Sequence, residues 1–525
     1  MLRHLLCLAA LLGLGVVVTA NNTVASSPYP SRIADLENAG EVVAAYDLAR
    51  EWLDVEPDAQ EPFTTCGDLA IRCGDPASAA AHYDSALFYG QTAELLAKLG
   101  DAQREAGLDT LALRSYRKAL HLDGGNLRGM VGTARLALED RKELLEARMT
   151  LHAALAIDPD CVPALVALAE LDLTEGLNEA AQQSLRTLTQ KHPEAPEPHL
   201  VLGRLLAEGG RLALAQTHWR EYAALEPARQ ETWLLRHRMF PISTRSLPIR
   251  GTQFSFSPDG KHLAYIGAGA VANTQLPIVD SEGREEPRPV CTLEGSVQSL
   301  RWSPRGDKIA LLGYVRPDSQ DKTASRPQRQ PYNLYTVAVT DRTQRHVCSL
   351  PYCGLMDWMP DGKALCFDGS LSGRGRGVLT VRDEPEANLT TLIYPGRGES
   401  YVGVRSSPTG ADLALITYSS QRDRPYGICV APTSNPWLTR SVYTSTDYIT
   451  QLYFTPEGHS LLFLQRDPGQ GYAVFAMPTD GSAKAPILVL RTAYVCPPSM
   501  TPDGRQLLSY ARDGLAIVSL AGIEE

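Results

Sequence analysis

The chain has 525 residues, of which 44% are hydrophobic and 21% are charged, and its formal net charge is −10. This length exceeds that of one ordinary domain, and the composition is that of a folded globular protein, which excludes collagen-like and disordered classes. The chain as a whole is acidic, so we expect no nucleic-acid partner.

The first twenty residues, MLRHLLCLAALLGLGVVVTA, are typical of a secretory signal peptide. Arg3 and His4 precede an apolar run from Leu5 to Val18, and Val18-Thr19-Ala20 has the small residues of a cleavage site. An uncleaved anchor is the alternative, but the run is short for a helix that crosses a bilayer. We therefore expect residues 1–20 to be removed, leaving an exported periplasmic or secreted protein with no transmembrane segment.

Residues 26–229 repeat with a period near 34 residues. The copy EPHLVLGRLLAEGGRLALAQTHWREYAALEP has a small Gly203, a turn at Gly210, a small Ala215, an aromatic Trp219 and a closing proline. This pattern resembles the tetratricopeptide repeat (TPR) family. The resemblance implies about six helix pairs that stack into an all-α superhelix with an inner groove.

The predicted groove is acidic. Residues 1–240 contain 22 Lys and Arg against 33 Asp and Glu. A groove of this charge would suit a basic or N-terminal peptide segment of a protein partner, whereas the alternative is an ordinary solvated helix face. The candidate groove residues are Asp68, Asp101, Glu105, Glu139, Glu170 and Glu208.

After a predicted linker helix at residues 230–240, the second half carries six copies of one strand-turn-strand pattern. The first is FSFSPDGKHLAYIG, in which Pro-Asp-Gly is the chemistry of a tight turn. The turn prolines are 46, 56, 48, 48 and 46 residues apart, a period close to that of a four-stranded propeller blade. They are Pro258, Pro304, Pro360, Pro408, Pro456 and Pro502.

Residues 241–525 are therefore predicted to form an all-β six-bladed propeller. The last copy ends after its third strand, and residues 242–249 match the outer strands of the other copies. We expect this N-terminal strand to close the ring. The repeats resemble the PD40 (WD40-like), or TolB-like, propeller repeats, which implies a periplasmic or secreted interaction platform; the small α/β domain expected before such a propeller is replaced here by the helical array.

One end of the predicted propeller is rich in arginine. The loops between the second and third strands of blades two, three and four contain a basic cluster, which indicates a docking face for an acidic protein, peptide or polymer. The alternative is that charge keeps long loops soluble. The candidate residues are Arg316, Arg326, Arg329, Arg374, Arg376, Arg422 and Arg424.

The positions three residues before each turn proline lie on the inner strands. They are Ser255, Arg301, Asp357, Arg405, Tyr453 and Ser499. Because buried charges need partners, Arg301, Asp357 and Arg405 predict an ion pair between blades. A ligand site near the channel is the alternative.

Sequence signatures of catalysis are absent: there is no GxSxG, HExxH, P-loop or dinucleotide fingerprint. No CxxC pair indicates a zinc site, and we expect no metal or other cofactor. The sequence thus predicts a non-enzymatic scaffold of the cell envelope whose groove and propeller face each dock a protein partner. The alternative is a receptor or enzyme-like propeller that binds a small ligand, glycan or cation at its channel, and convergent polar side chains there would favour it.

Overall fold

The computed structural model describes residues 27–140, 143–267, 273–316, 332–350, 352–370, 376–384, 387–467, 471–483, 485–492, 499–511 and 514–523. The predicted signal peptide lies outside these residues. Within them, a helical N-terminal half precedes a half made of small antiparallel sheets, which confirms the predicted fold class.

The helices of the described N-terminal half form consecutive hairpins. Each helix presents an apolar stripe, and successive hairpins stack these stripes against one another. The pairs are α1 Tyr29–Asn38 with α2 Val42–Val55, α3 Gln60–Arg72 with α4 Pro76–Ala86, α5 Ala93–Glu105 with α6 Asp109–Leu122, α7 Leu127–Asp140 with α8 Leu144–Ile157, α9 Val162–Thr174 with α10 Asn178–Lys191, and α11 Pro196–Glu208 with α12 Leu212–Leu225.

Close approach within a hairpin depends on a small residue facing an aromatic ring. In the sixth pair, a Cβ on Gly203 would lie 2.4 Å from Nε1 of Trp219, whose side chain is fully buried. Gly100 meets Tyr116 in the same way in the third pair. The small positions of the repeat are thus set by packing.

The linker is shorter than predicted. Helix α13 spans Gln230–Arg236, because Arg238 adopts a left-handed φ of 56° that ends the helix before residue 240. Strand β1, Phe240–Ser246, follows at once, and thus begins and ends earlier than the predicted span 242–249. Its last backbone bond is from Leu247 N to Leu515 O at 2.7 Å, after which Pro248 has no N–H to donate.

The strands form six blades around a ring. Blade one contains β2 Gly251–Phe256, β3 His262–Gly267, β4 Asn273–Asp280 and the first part of β5 Arg288–Trp302; blade two contains the rest of β5, β6 Lys308–Arg316, β7 Tyr332–Ala338 and β8 Gln344–Leu350. Blade three contains β9 Cys353–Trp358, β10 Ala364–Gly369, β11 Gly377–Arg382 and β12 Thr390–Ile393. Blade four contains β13 Glu399–Ser406, β14 Asp412–Ser419, β15 Tyr426–Pro432 and β16 Arg440–Ser445. Blade five contains β17 Ile449–Phe454, β18 Ser460–Asp467, β19 Gly471–Pro478 and β20 Ile487–Thr492, and blade six contains β21 Ser499–Met500, β22 Gln506–Ala511, β23 Gly514–Ala521 and β1 as its outer strand.

Antiparallel order assigns the loops to two ends of the ring. The turns that follow the inner strands, with Pro258 and its equivalents, lie at one end, which we call the turn face. The loops between second and third strands and the connectors between blades lie at the other end, which we call the connector face. The loop between β14 and β15, which contains Arg422 and Arg424, therefore belongs to the connector face.

The two halves share one hydrophobic core. Trp219 of α12 packs edge-on against Phe240 of β1, with ring centroids 6.1 Å apart, and both contribute to a cluster that continues into blades five and six. On the propeller side that cluster includes Leu462, Leu464, Val474, Leu507 and Val518. The helical array is thus packed against the ring by apolar contact.

We expect Gly203→Val to lower the free energy of unfolding by about 1–3 kcal/mol, because the added carbons would overlap a buried Trp219 ring that has no space to move. Urea unfolding followed by far-UV circular dichroism measures the change. Gly124→Ala, in an exposed turn with no atom nearer than 3.9 Å to the new Cβ, is the control and should change stability by less than about 0.5 kcal/mol. Equal stability of the two variants would contradict the packing account.

Candidate functional site: the propeller channel and the connector face

The predicted acidic groove is largely neutralised by the chain itself. Five of its six candidate carboxylates have cationic partners, four of them on a neighbouring repeat. These pairs are Asp68 with Lys98 at 2.8 Å, Asp101 with Arg128 at 2.7 Å, Glu139 with Arg104 at 3.0 Å, Glu170 with Arg204 at 3.5 Å, and Glu105 with Arg229 at 3.2 Å. The sixth, Glu208, is exposed at the end of α11. A basic partner would have to displace these cations from the groove.

The linker also enters the groove. Arg229 donates to both carboxylate oxygens of Glu105, at 3.2 and 3.3 Å, and to the carbonyl oxygen of Ile71 at 3.0 Å. Its neighbour Gln230 donates to the carbonyl of Gly74. The start of the chain's own linker, Arg229 and Gln230, therefore occupies part of the predicted groove.

The basic face is described only in part. Arg376 precedes β11 and lies over the ring of Tyr352, with its guanidinium carbon 4.7 Å from the ring centroid. Arg422, between β14 and β15, pairs with Glu399, and Arg424 is exposed in the same loop. Arg326, Arg329 and Arg374 lie outside the described residues, and Arg316 is described only as the last residue of β6.

Sequence reasoning missed a set of six tyrosines on the connector face, at strand ends and blade connectors of blades two to five. We call this set the tyrosine arc. Ring centroids are 4.0 Å apart for Tyr314 and Tyr332, 5.5 Å for Tyr332 and Tyr352, 5.3 Å for Tyr418 and Tyr426, and 5.3 Å for Tyr426 and Tyr448.

Three members of the tyrosine arc are exposed to solvent: Tyr314 by 37%, Tyr352 by 39% and Tyr448 by 47%. Tyr332 is buried behind them, and burial together with a hydrogen bond to Tyr314 raises its pKa to about 12. Tyr332 is therefore neutral at physiological pH. A signal in the sequence was available, since Tyr332, Tyr352 and Tyr426 each follow a proline at the start of a strand or connector.

A buried carboxyl lies behind the arc in blade three. Asp368 of β10 is fully buried, and its Oδ1 accepts a hydrogen bond from Leu355 N at 2.7 Å. Its Oδ2 has no hydrogen-bond partner among the described residues. Burial raises the pKa of this carboxyl to about 7, against the smaller opposing effects of the Leu355 amide and of Arg376.

The positions three residues before the turn prolines converge on the channel, one from each blade. Ser255, Arg301, Asp357, Arg405, Tyr453 and Ser499 line a cavity of about 210 Å³. Nε of Arg301 lies 4.0 Å from Oδ1 of Asp357, at the limit of an ion pair. The guanidinium groups of Arg301 and Arg405 both lie over the ring of Tyr453, at 4.9 Å and 5.0 Å from its centroid. The structure thus brings the three predicted charged residues together in one polar ring.

Two features are absent from the described ranges, a cluster of metal ligands and a membrane-crossing helix. No group of three or more His, Cys, Asp or Glu is placed there to hold a metal ion. No helix there is long and apolar enough to cross a bilayer.

Residues 138–205 match the family model of the tetratricopeptide repeat. No curated protein matches the chain. Among solved structures, the putative TolB from Agrobacterium tumefaciens is 17% identical, with 55% of this chain and 96% of that chain covered at a TM-score of 0.39. An oligogalacturonate lyase from Vibrio parahaemolyticus is 16% identical, with 50% and 76% covered at a TM-score of 0.37. A tetratricopeptide repeat protein from Parabacteroides merdae is 18% identical, with 40% and 82% covered at a TM-score of 0.29.

The described residues form helical repeats, part of which match the tetratricopeptide model, followed by a six-bladed propeller. Scaffolds of these two kinds commonly serve as protein-interaction modules.

We expect Asp368 to make stability fall as pH rises. In the unfolded chain its carboxyl loses its proton near pH 4, whereas burial keeps the proton in the folded chain to about pH 7. Between these values the folded state binds more protons, so the free energy of unfolding decreases with pH. Asp368→Asn keeps an acceptor for the Leu355 amide and should lose this part of the decrease in urea unfolding measured at about pH 5 and about pH 8. The same decrease in both proteins would contradict the assignment.

Proposed function

We propose that this chain is an exported, non-enzymatic scaffold of the cell envelope, and that the connector face of its propeller is the principal docking surface for a protein partner. The observation that carries the proposal is the tyrosine arc, which presents exposed aromatic rings beside Arg376. Tyrosine and arginine are enriched in binding hot spots because they bury a large area, hydrogen-bond at their tips and lose little conformational entropy.

The charge around the arc supports an acidic partner. Arg376 and Arg424 are described there, and the adjoining loops add Arg326, Arg329 and Arg374 in the sequence. Complementary charge at a rim mainly speeds association and selects partners, while the aromatic centre supplies affinity. The connector face combines both features.

The helical groove has a secondary place in this proposal. Because its carboxylates are paired and Arg229 occupies part of it, a basic peptide could dock there only by exchanging with the chain's own cations. Such an exchange returns little net free energy, since one charge-assisted hydrogen bond replaces another. Groove docking of a second partner is therefore proposed for the exposed end near Glu208.

Export is proposed from the first twenty residues, which have the charged start, apolar run and cleavage pattern of a signal peptide. Removal of this segment would release the helical array and propeller on the far side of the membrane. A periplasmic or secreted location follows from that step.

The second candidate function is a propeller that binds a small ligand at its channel. The observation that favours it is the ring of convergent polar side chains, one from each blade. Two guanidinium groups against one carboxylate disfavour a cation as the ligand, because like charges repel in a buried site.

We expect Tyr352→Ala combined with Tyr448→Ala to weaken partner binding at least about 30-fold, since truncation of even one hot-spot tyrosine costs about 2 kcal/mol. Crosslinked capture from the native envelope, quantified by mass spectrometry, identifies the partner, and calorimetry with that purified protein measures affinity. Trp437→Ala removes an aromatic side chain that is 61% exposed and outside the arc, and should bind as wild type does. Unchanged affinity of the double variant would remove the arc from the docking surface, and a wild-type chain that retains no protein would contradict the scaffold itself.

A further inference from the structure

The channel contains two arginines that are almost completely buried. Arg301 is 5% exposed and Arg405 is 2% exposed, on the inner strands of blades two and four. Burial and the nearby Arg405 guanidinium lower the pKa of Arg301 to about 10, so Arg301 remains charged at neutral pH. Placing two like charges together in a buried site is costly unless counter-charge or hydrogen bonds compensate.

Protein groups compensate these charges incompletely. Arg405 Nη1 donates to the carbonyl oxygens of Met356 at 2.8 Å and Val404 at 2.9 Å, and Arg301 Nη1 donates to the carbonyl of Leu300 at 2.8 Å. The Nε–H groups of both arginines are buried and have no hydrogen-bond partner in the described part of the chain. Described protein groups therefore leave both guanidinium groups incompletely hydrogen-bonded.

Only one carboxylate is present among the described residues that line the cavity. Asp357 already accepts hydrogen bonds from the amides of Trp358 and Ser406, both at 3.0 Å, and is at the limit of contact with Arg301. With two guanidinium groups and one carboxylate, the formal charge of the lining is +1. A monoanion would bring it to zero.

The other side chains that line the cavity indicate what the ligand contains besides its negative charge. Phe256, Trp302, Phe454 and Met500 give the cavity an apolar side, and turn prolines stand at its mouth on the turn face. Apolar walls favour an anion with a small hydrocarbon part over a fully hydrated inorganic anion. A cavity of about 210 Å³ has space for a few carbon atoms.

We propose that the propeller channel binds a small organic monocarboxylate through Arg301 and Arg405, entering from the turn face. The guanidinium fork matches the two carboxylate oxygens, and charge-assisted hydrogen bonds of this kind are the strong ones. The site lies at the end of the channel opposite the tyrosine arc, so it is independent of the docking proposed above.

The test uses the full chain and sodium butyrate as the probe, with calorimetry and thermal unfolding at ionic strength matched by sodium chloride. Butyrate should bind and raise the unfolding temperature, whereas phosphate at equal concentration should bind at least about tenfold more weakly. Arg405→Gln should weaken butyrate binding at least about tenfold. Asp357→Asn removes the competing carboxylate and should tighten binding several-fold.

The control is Arg288→Gln, which changes an arginine side chain that is 78% exposed on the outer strand of blade one, and it should bind butyrate as wild type does. Arg405 also bridges blades three and four, so butyrate binding by Arg405→Gln is interpreted only if that variant unfolds cooperatively. Asp357→Asn provides the independent measurement. No butyrate effect beyond that of chloride would overturn the proposal and leave the arginines as clamps between blades. Preference for phosphate, or weaker binding by Asp357→Asn, would overturn it as well.

Discussion

The pairing of β1 with β23 is the interaction on which the rest of the structure depends. It runs from Phe240 opposite Ala521 to Ser246 opposite Ala516, and it closes the ring by supplying the outer strand of the last blade. Because β1 follows the linker helix directly, the same pairing holds the helical array against blades five and six. The chain end adds to this junction through the bond from Ile523 N to Leu235 O at 2.8 Å. β1 covers the edge of β23 that would otherwise be unpaired, and closure of the ring makes the six inner strands converge on one channel.

Charged side chains are paired in the helical groove but incompletely paired in the propeller channel. In the groove, carboxylates of one repeat meet cations of another, and Arg229 from the linker completes the set by pairing with Glu105. Pairs this close to solvent add little stability each, but together they cancel the acidic field that would attract a basic partner. In the channel, Arg301 and Arg405 have one carboxylate between them, and a positive charge remains. An uncompensated positive charge buried in the channel favours binding of an anionic ligand. The paired charges of the groove instead hold neighbouring parts of the chain together.

Much of the fold could be predicted from the sequence because both halves are repeats. The turn prolines located the six blades, and counting three residues back from each placed Arg301, Asp357 and Arg405 on neighbouring inner strands, where the structure has them. The groove pairs could not be foreseen, since Glu105 meets a residue 124 positions away and only the curvature of the array brings them together. The tyrosine arc was missed for a related reason: its members come from strand ends and connectors of four blades, which no single repeat alignment compares. The end of the linker helix could not be predicted either. It depends on the left-handed backbone of Arg238, and a non-glycine residue gives no sequence signal for that conformation.

Site-specific photo-crosslinking in living cells tests the docking claim most directly. A benzophenone amino acid would replace Tyr448 in the arc, Trp437 outside it, or Glu208 at the end of the groove, one position at a time. We expect a crosslinked partner protein from position 448 and none from position 437. Crosslinks from position 208 alone, or from no position, would contradict the connector face as the principal docking surface.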